Sequence, residues 1–166
     1  MNMKKELLTD RLRLIPVESR DGDEIFLLLR NDKIKKYLCD NKDIEQNVSR
    51  SMVSNSEILF KEKGIGLWLI RDLRNDSTMG FCGFLKNKQL ELIYVIHPDF
   101  QNNGFATEAT LRIIEHFKQL KINEDIYAKV DLPNTESHIV ANKIGMNGIG
   151  MAKNLATGGD MRLYRL

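Results

Sequence analysis

The feature that most constrains this chain is a change of hydrophobic period near its middle. Three short segments, Leu67 to Arg71, Thr78 to Leu85 and Gln89 to His97, are separated by the turn pairs Asn75–Asp76 and Asn87–Lys88. Short apolar runs bounded by turn chemistry predict strands, and links this short predict an antiparallel meander. On either side the period is helical. Ile25, Leu28 and Leu29 predict a helix within Glu18 to Arg30, Asn31 to Leu38 reads as a second, and Asn41 to Lys63 holds one or two more. Ala106, Ala109, Ile113, Phe117 and Leu120 form one stripe on a helix from Phe105 to Leu120. Thr9 to Pro16 predicts an opening strand with Leu12 and Leu14 inward and Arg11 and Arg13 outward. Ile126 to Val130 is a further strand. Pro133–Asn134 opens a last helix, ended by Gly145 at C′, and a hairpin closes the chain near Gly148 to Ala152 and Asp160 to Leu166. The order predicts a single α/β (α+β mixed) domain over residues 1–166.

Composition sets limits on its chemistry. The 166 residues are 42% hydrophobic and 29% charged, with a net charge of +2, as expected of a soluble globular domain. Lys and Arg are interleaved with Asp and Glu, so no stretch forms a nucleic-acid footprint. Cys39 and Cys82 are far apart, and His97, His116 and His138 have no ligand spacing, which predicts neither disulfide nor metal and suits a reducing cytoplasm. Met1 to Leu8 lacks the apolar core of a signal peptide, and no run approaches membrane-spanning length.

The most informative segment runs from Tyr94 to Thr107, where a strand enters a polar loop and the loop enters the first turn of a helix. The first N–H groups of a helix lack intrahelical partners and lie at the positive end of its dipole, so they attract anions. Gly104 lets a phosphate approach the backbone, Asn102 and Asn103 tolerate left-handed conformations, and Ala106 is small. An ordinary strand-to-helix link also uses polar residues and glycine, and the residues alone leave both readings open.

Gln101-x-x-Gly104-x-Ala106 is similar to the acyl-CoA pyrophosphate loop of the GNAT acyltransferase superfamily. Other segments match in the same order. Leu8-Thr9-Asp10-Arg11-Leu12-Arg13-Leu14 resembles the opening strand of the branch that holds ribosomal-protein N-terminal (alanine/serine) acetyltransferases. Asn31-Asp32 with Ile34, Tyr37 and Leu38 resembles its second helix, and Met79-Gly80-Phe81-Cys82-Gly83 its central strand. Asn134-x-x-Ser137 with Lys143-Ile144-Gly145-Met146 resembles its last helix.

The resemblance implies a central mixed, mostly antiparallel sheet of about seven strands with about four flanking helices. Two parallel strands, Gln89 to His97 and Ile126 to Val130, would start adjacent and then splay. It implies acetyl-CoA as co-substrate and no metal. The pantetheine arm would lie in the splay beside Tyr94, Val95 and Ile96, and the pyrophosphate would be held by the loop that Gln101 opens, through the amides of Asn102, Asn103, Gly104, Phe105, Ala106 and Thr107. Glu91, alone in an apolar strand, aligns with the family's frequent glutamate and is the candidate base; a salt-bridged structural carboxylate is the alternative. Asn134 is both an expected N-cap and a candidate ligand of the pantetheine arm. Many relatives carry a tyrosine seven residues after this asparagine, but here the position is Ala141, so Ser137 or water would protonate the leaving thiolate, or it would leave unassisted.

The implied activity is transfer of an acetyl group to a primary amine by direct attack on the thioester. The acceptor would meet walls from Asn31 to Asn55 and Lys153 to Asp160, where mixed charges select no class. The opening motif favours a protein N-terminal amine over a small amine such as a polyamine, an amino-acid derivative or an aminoglycoside. A homodimer is open at the family level. Two rivals remain: an acyl-CoA-binding module without catalysis, which the missing tyrosine suggests, and an α/β interaction domain that binds no acyl-CoA.

Overall fold

The computed structural model describes residues 5–166; Met1 to Lys4, the start of the segment read as lacking a leader, lie outside the described residues. The described residues form one eight-stranded sheet in the order β1-β2-β3-β4-β5-β6-β8-β7. Its strands are β1 (Leu7–Leu8), β2 (Leu12–Pro16), β3 (Leu67–Asp72), β4 (Thr78–Lys86), β5 (Leu90–Ile96), β6 (Ile126–Asp131), β7 (Asn147–Lys153) and β8 (Asp160–Arg165). Five helices accompany them: α1 (Gly22–Arg30), α2 (Asp32–Leu38), α3 (Gln46–Lys63), α4 (Phe105–Gln119) and α5 (Thr135–Lys143).

The extra strand arises at the start. The expected first strand from Thr9 to Pro16 begins only at Leu12, and a turn separates it from β1, because the Thr9 hydroxyl accepts the Leu12 N–H at 2.9 Å. This side-chain turn withdraws Thr9 to Arg11 from the ladder. The fifth helix comes from Asn41 to Lys63, which resolves into one helix, α3.

Alternation along the central strands divides the core in two. Leu67, Leu69, Phe81 and Val95 pack with Ile25, Leu28 and Leu29 of α1 and Ile34 of α2. Trp68, Ile70, Cys82, Phe84, Leu90, Leu92 and Ile96 pack on the other face with Ala109, Ile113 and Phe117 of α4 and Ala141 of α5. The stripe expected on α4 is thus the buried one, except that Leu120 lies past the helix end and is exposed. Gly145 ends α5 at φ +88°, a left-handed value that glycine adopts without strain. Its N–H donates to Asn142 O, and the Met146 N–H donates to Ala141 O, which closes the helix C-terminus.

All strand pairs but one are antiparallel. The parallel pair β5–β6 is joined only at Leu90↔Ile126 and Glu91↔Tyr127. Beyond these residues β5 stays with β4 as far as Ile96, while β6 turns its pairing to β8 from Tyr127 to Asp131. A wedge opens between the two strands, with the N-termini of α4 and α5 near its wide end. Among the described residues no helix is long and apolar enough to cross a membrane.

Candidate active site

The wedge is the floor of a cleft of about 800 Å³. One wall comes from Leu92 to Ile96 of β5 and the loop after it. The opposite wall comes from Ala128 to Asp131 of β6 and the first turns of α5. Lys33, Ile34, Lys36, Tyr37 and Leu38 of α2 close one end.

The loop between β5 and α4 is held by its own side chains. His97 Nδ1 accepts the Asp99 N–H at 3.3 Å, capping a short 3₁₀ turn at Pro98–Phe100. Gln101 Nε2 donates to Ile96 O at 2.9 Å, and Asn103 Nδ2 donates to Gln101 O at 2.8 Å. Asn102 and Gly104 have left-handed φ values of +61° and +79°. The left-handed freedom expected of Asn102 is used, and that of Asn103 is not. No side chain caps α4. As a result the six consecutive N–H groups from Asn102 to Thr107 have no acceptor among the described residues. They surround a left-handed glycine at the positive end of a helix of 15 residues.

At the facing helix, Asn134 Oδ1 accepts the Ser137 N–H at 3.2 Å, so Asn134 is the N-cap of α5. Tyr94 reaches across from β5, and its hydroxyl donates to Ser137 O at 2.8 Å. Burial pushes the Tyr94 phenol far above its ordinary range, so it stays protonated. The Ser137 hydroxyl has no hydrogen-bond partner among the described residues and lies on the cleft wall.

Tyr94, Val95, Ile96, Gln101, Asn102, Gly104, Phe105, Ala106, Thr107, Asn134 and Ser137 all line the cleft. Asn103 stands behind it as a brace. Glu91 does not line it either. Its side chain shares a sheet face with Val95 and accepts Lys129 Nζ at 2.8 Å, and Lys129 is the cleft residue of that pair. No signal in the sequence marked Lys129. Ala141 is fully buried in the core and does not line the cleft, so the position where the resemblance implies a tyrosine presents no side chain to it.

Other side chains find structural places. Trp68 is fully buried, donates from Nε1 to Lys5 O at 2.9 Å and does not line the cleft. Burial drives the Cys82 thiol far above its usual range, which makes it inert. His138 is half-buried between Tyr164 Oη at 2.7 Å and Asp131 O at 3.1 Å. The loop from Lys153 to Asp160 does not line the cleft; its Asn154 instead donates to Asp40 Oδ1 at 2.5 Å, just past α2. Among the described residues no group of His, Cys, Asp or Glu could hold a metal.

A family model described as an acetyltransferase (GNAT) domain matches residues 11–147. The chain is 32% identical over 154 residues to the protein YkkB of Bacillus subtilis (strain 168), covering 89% of this chain and 88% of that one. It is 30% identical over 154 residues to the uncharacterised N-acetyltransferase YoaA of the same organism, covering 89% and 85%. The fold superposes on RimL, a ribosomal L7/L12 alpha-N-protein acetyltransferase in complex with coenzyme A, with a TM-score of 0.81 at 16% identity, over 98% of this chain and 97% of that one.

Proposed function

The chain belongs to the GNAT acetyltransferase family, and we propose that it is an acetyl-CoA-dependent N-acetyltransferase that acts on a primary amine. The observation that carries this reading is the run of six unpartnered N–H groups, Asn102 to Thr107, at the wide end of the β5–β6 wedge. Asn102 to Gly104 are exposed and Phe105 to Thr107 half-buried, so the run is open to a ligand, and a pyrophosphate supplies acceptors while its charge meets the helix dipole. The pantetheine arm then runs along the open edge of β5 at Tyr94, Val95 and Ile96, with Asn134 opposite. That RimL, which shares the fold, is in complex with coenzyme A supports coenzyme A as the ligand.

The thioester would lie where the strands part. The acceptor nitrogen attacks the carbonyl carbon, the C–S bond breaks, and the amine proton passes through water to Glu91, which stands behind the cleft lining. For this to happen Lys129 must release the carboxylate, and the acceptor must arrive as the neutral amine, having left its ammonium proton to water. Ser137, with a free hydroxyl on α5, donates a hydrogen bond to the departing sulfur. The thiolate is a tolerable leaving group, since a free thiol titrates near ~8.5, so this help need only be modest.

A protein N-terminal amine fits better than a polycation. Lys33, Lys36, Lys129 and Lys143 line the cleft against Asp131 and Glu136, and a polyamine or aminoglycoside would meet excess like charge. The test is thermal unfolding with acetyl-CoA in EDTA, followed by mass spectrometry on a panel of peptides with free N-termini, polyamines, aminoglycosides and amino-acid derivatives. Stabilisation and acetylated peptides are expected. No stabilisation at millimolar acetyl-CoA would leave an interaction domain, and binding without transfer to any amine would leave a non-catalytic acyl-CoA module.

A further inference from the structure

The opening motif Thr9-Asp10-Arg11 has no role in the mechanism above, yet the fold carries it across to the phosphate loop. The turn between β1 and β2 docks on the first turn of α4. Thr9 Oγ1 donates to Glu108 Oε1 at 2.6 Å, and the Arg11 N–H donates to the same oxygen at 3.1 Å. The Arg11 side chain then folds back, with Nε and Nη2 at 2.7 and 2.6 Å from Glu108 Oε2. Its guanidinium lies over the Phe105 ring, 4.3 Å from the centroid. A Cβ placed on Gly104 would stand 3.6 Å from Nη2.

Three restraints therefore fix this guanidinium: a carboxylate, an aromatic face and the backbone turn. They use Nε and one edge of Nη2. Nη1 has no partner among the described residues, and the side chain is half exposed at the rim of the loop. A planar cation with spare donors, held rigid beside unpartnered amides, is suited to a phosphate oxygen, because arginine binds phosphate through paired N–H groups and loses little freedom when already immobilised. An ion pair that only pinned the N-terminal turn to α4 would need neither the Phe105 stack nor the approach to Gly104.

We propose that Arg11 is a phosphate-binding residue of the cofactor site, contacting the nucleotide end of CoA from outside the loop, with Glu108 as its positioning residue. This rests on the acyl-CoA reading. The phosphate is either the pyrophosphate or the 3′-phosphate, and both lie at that end of the molecule.

The experiment is calorimetric titration of the purified protein with CoA and with 3′-dephospho-CoA, for wild type, Arg11→Gln and Glu108→Gln. Glutamine at 108 keeps an acceptor for Thr9 and the Arg11 N–H, and it removes a negative charge from the phosphate's surroundings. Arg11→Gln should weaken CoA binding roughly tenfold, and Glu108→Gln, which keeps the cation but loosens its anchor, should weaken it by clearly less. If the loss in Arg11→Gln disappears with dephospho-CoA, the 3′-phosphate is the partner; if it persists, the pyrophosphate is. Wild-type affinity in Arg11→Gln, or equal weakening in both variants, overturns the assignment and leaves a structural ion pair, with the acyl-CoA reading intact. A wild-type protein that binds neither ligand brings down the acyl-CoA reading itself. Should Arg11→Gln fail to fold, Arg11→Lys keeps the cation without the fork. A CoA affinity reduced by more than in Glu108→Gln then supports the assignment, and any smaller effect overturns it.

Discussion

Ser137 meets Tyr94 and Asn134 through its backbone, and its hydroxyl has no partner among the described residues. Replacing it by alanine therefore leaves the N-cap of α5 and the Tyr94 bond intact. A proton donor to the leaving sulfur at this place is worth one hydrogen bond, ~0.5–1.5 kcal/mol, or roughly three- to tenfold in rate. Ser137→Ala should lower turnover by that factor with an unchanged melting temperature and unchanged CoA affinity; full activity would make water the proton source. Glu91 presents a sharper case. Glu91→Gln keeps the size of the side chain and removes its basicity, and loss of a general base costs ~10²–10⁴-fold in rate. Turnover should fall by that order at neutral pH while CoA affinity holds. Wild-type turnover across the pH range would leave the Lys129 ion pair as the whole role of Glu91.

At the scale of elements, the loop into α4 separates strain from binding. Among the described residues nothing blocks a methyl group on Gly104, since the nearest atom is Arg11 Nη2 at 3.6 Å. Gly104→Ala should thus lose only about 1–2 kcal/mol of stability, the cost of a left-handed alanine. CoA affinity, measured on the folded protein, should fall about tenfold or more, because the methyl occupies the space a phosphate needs. Unchanged affinity would make Gly104 a turn residue only. The β3–β4 turn carries a different signal. The Arg74 guanidinium, and then its N–H, hold the Asp72 carboxyl down at about 2, against an ordinary value near ~3.9. The unfolded chain binds this proton first as pH falls. The stability from Asp72 is therefore complete above about pH 4 and is lost as pH drops through about 2. Denaturant midpoints from pH 5 to 2 should decline less steeply in Asp72→Asn than in wild type, and parallel curves would refute the assignment.

The whole molecule should respond to its ligand without a metal. With CoA at ~100-fold excess over its dissociation constant, linkage adds about 2.7 kcal/mol to the folded state, and EDTA should not reduce this. A melting temperature that rises only when a divalent cation is present would argue against amides as the phosphate ligands. The two halves of the core meet along the sheet beneath the wedge, so stabilisation by CoA should appear as one cooperative transition rather than as local tightening of the loop.

The sequence by itself determined the meander, the buried stripe of α4, the cap at Asn134, the stop at Gly145 and the loop from Gln101 to Thr107. Each of these rests on neighbours within a few residues, where period, turn chemistry and helix-end geometry act locally. Only the tertiary structure decided what meets across the chain. Glu91 and Lys129 are brought together by a two-residue parallel ladder, and Tyr94 reaches Ser137 because β5 and β6 part beyond it. Arg11, which strand alternation placed facing outward, folds onto Glu108 and Phe105 because the Thr9 turn removes it from the ladder. Residues 97 positions apart leave no trace in local periodicity, and their partners are fixed by how the sheet edge packs on a helix.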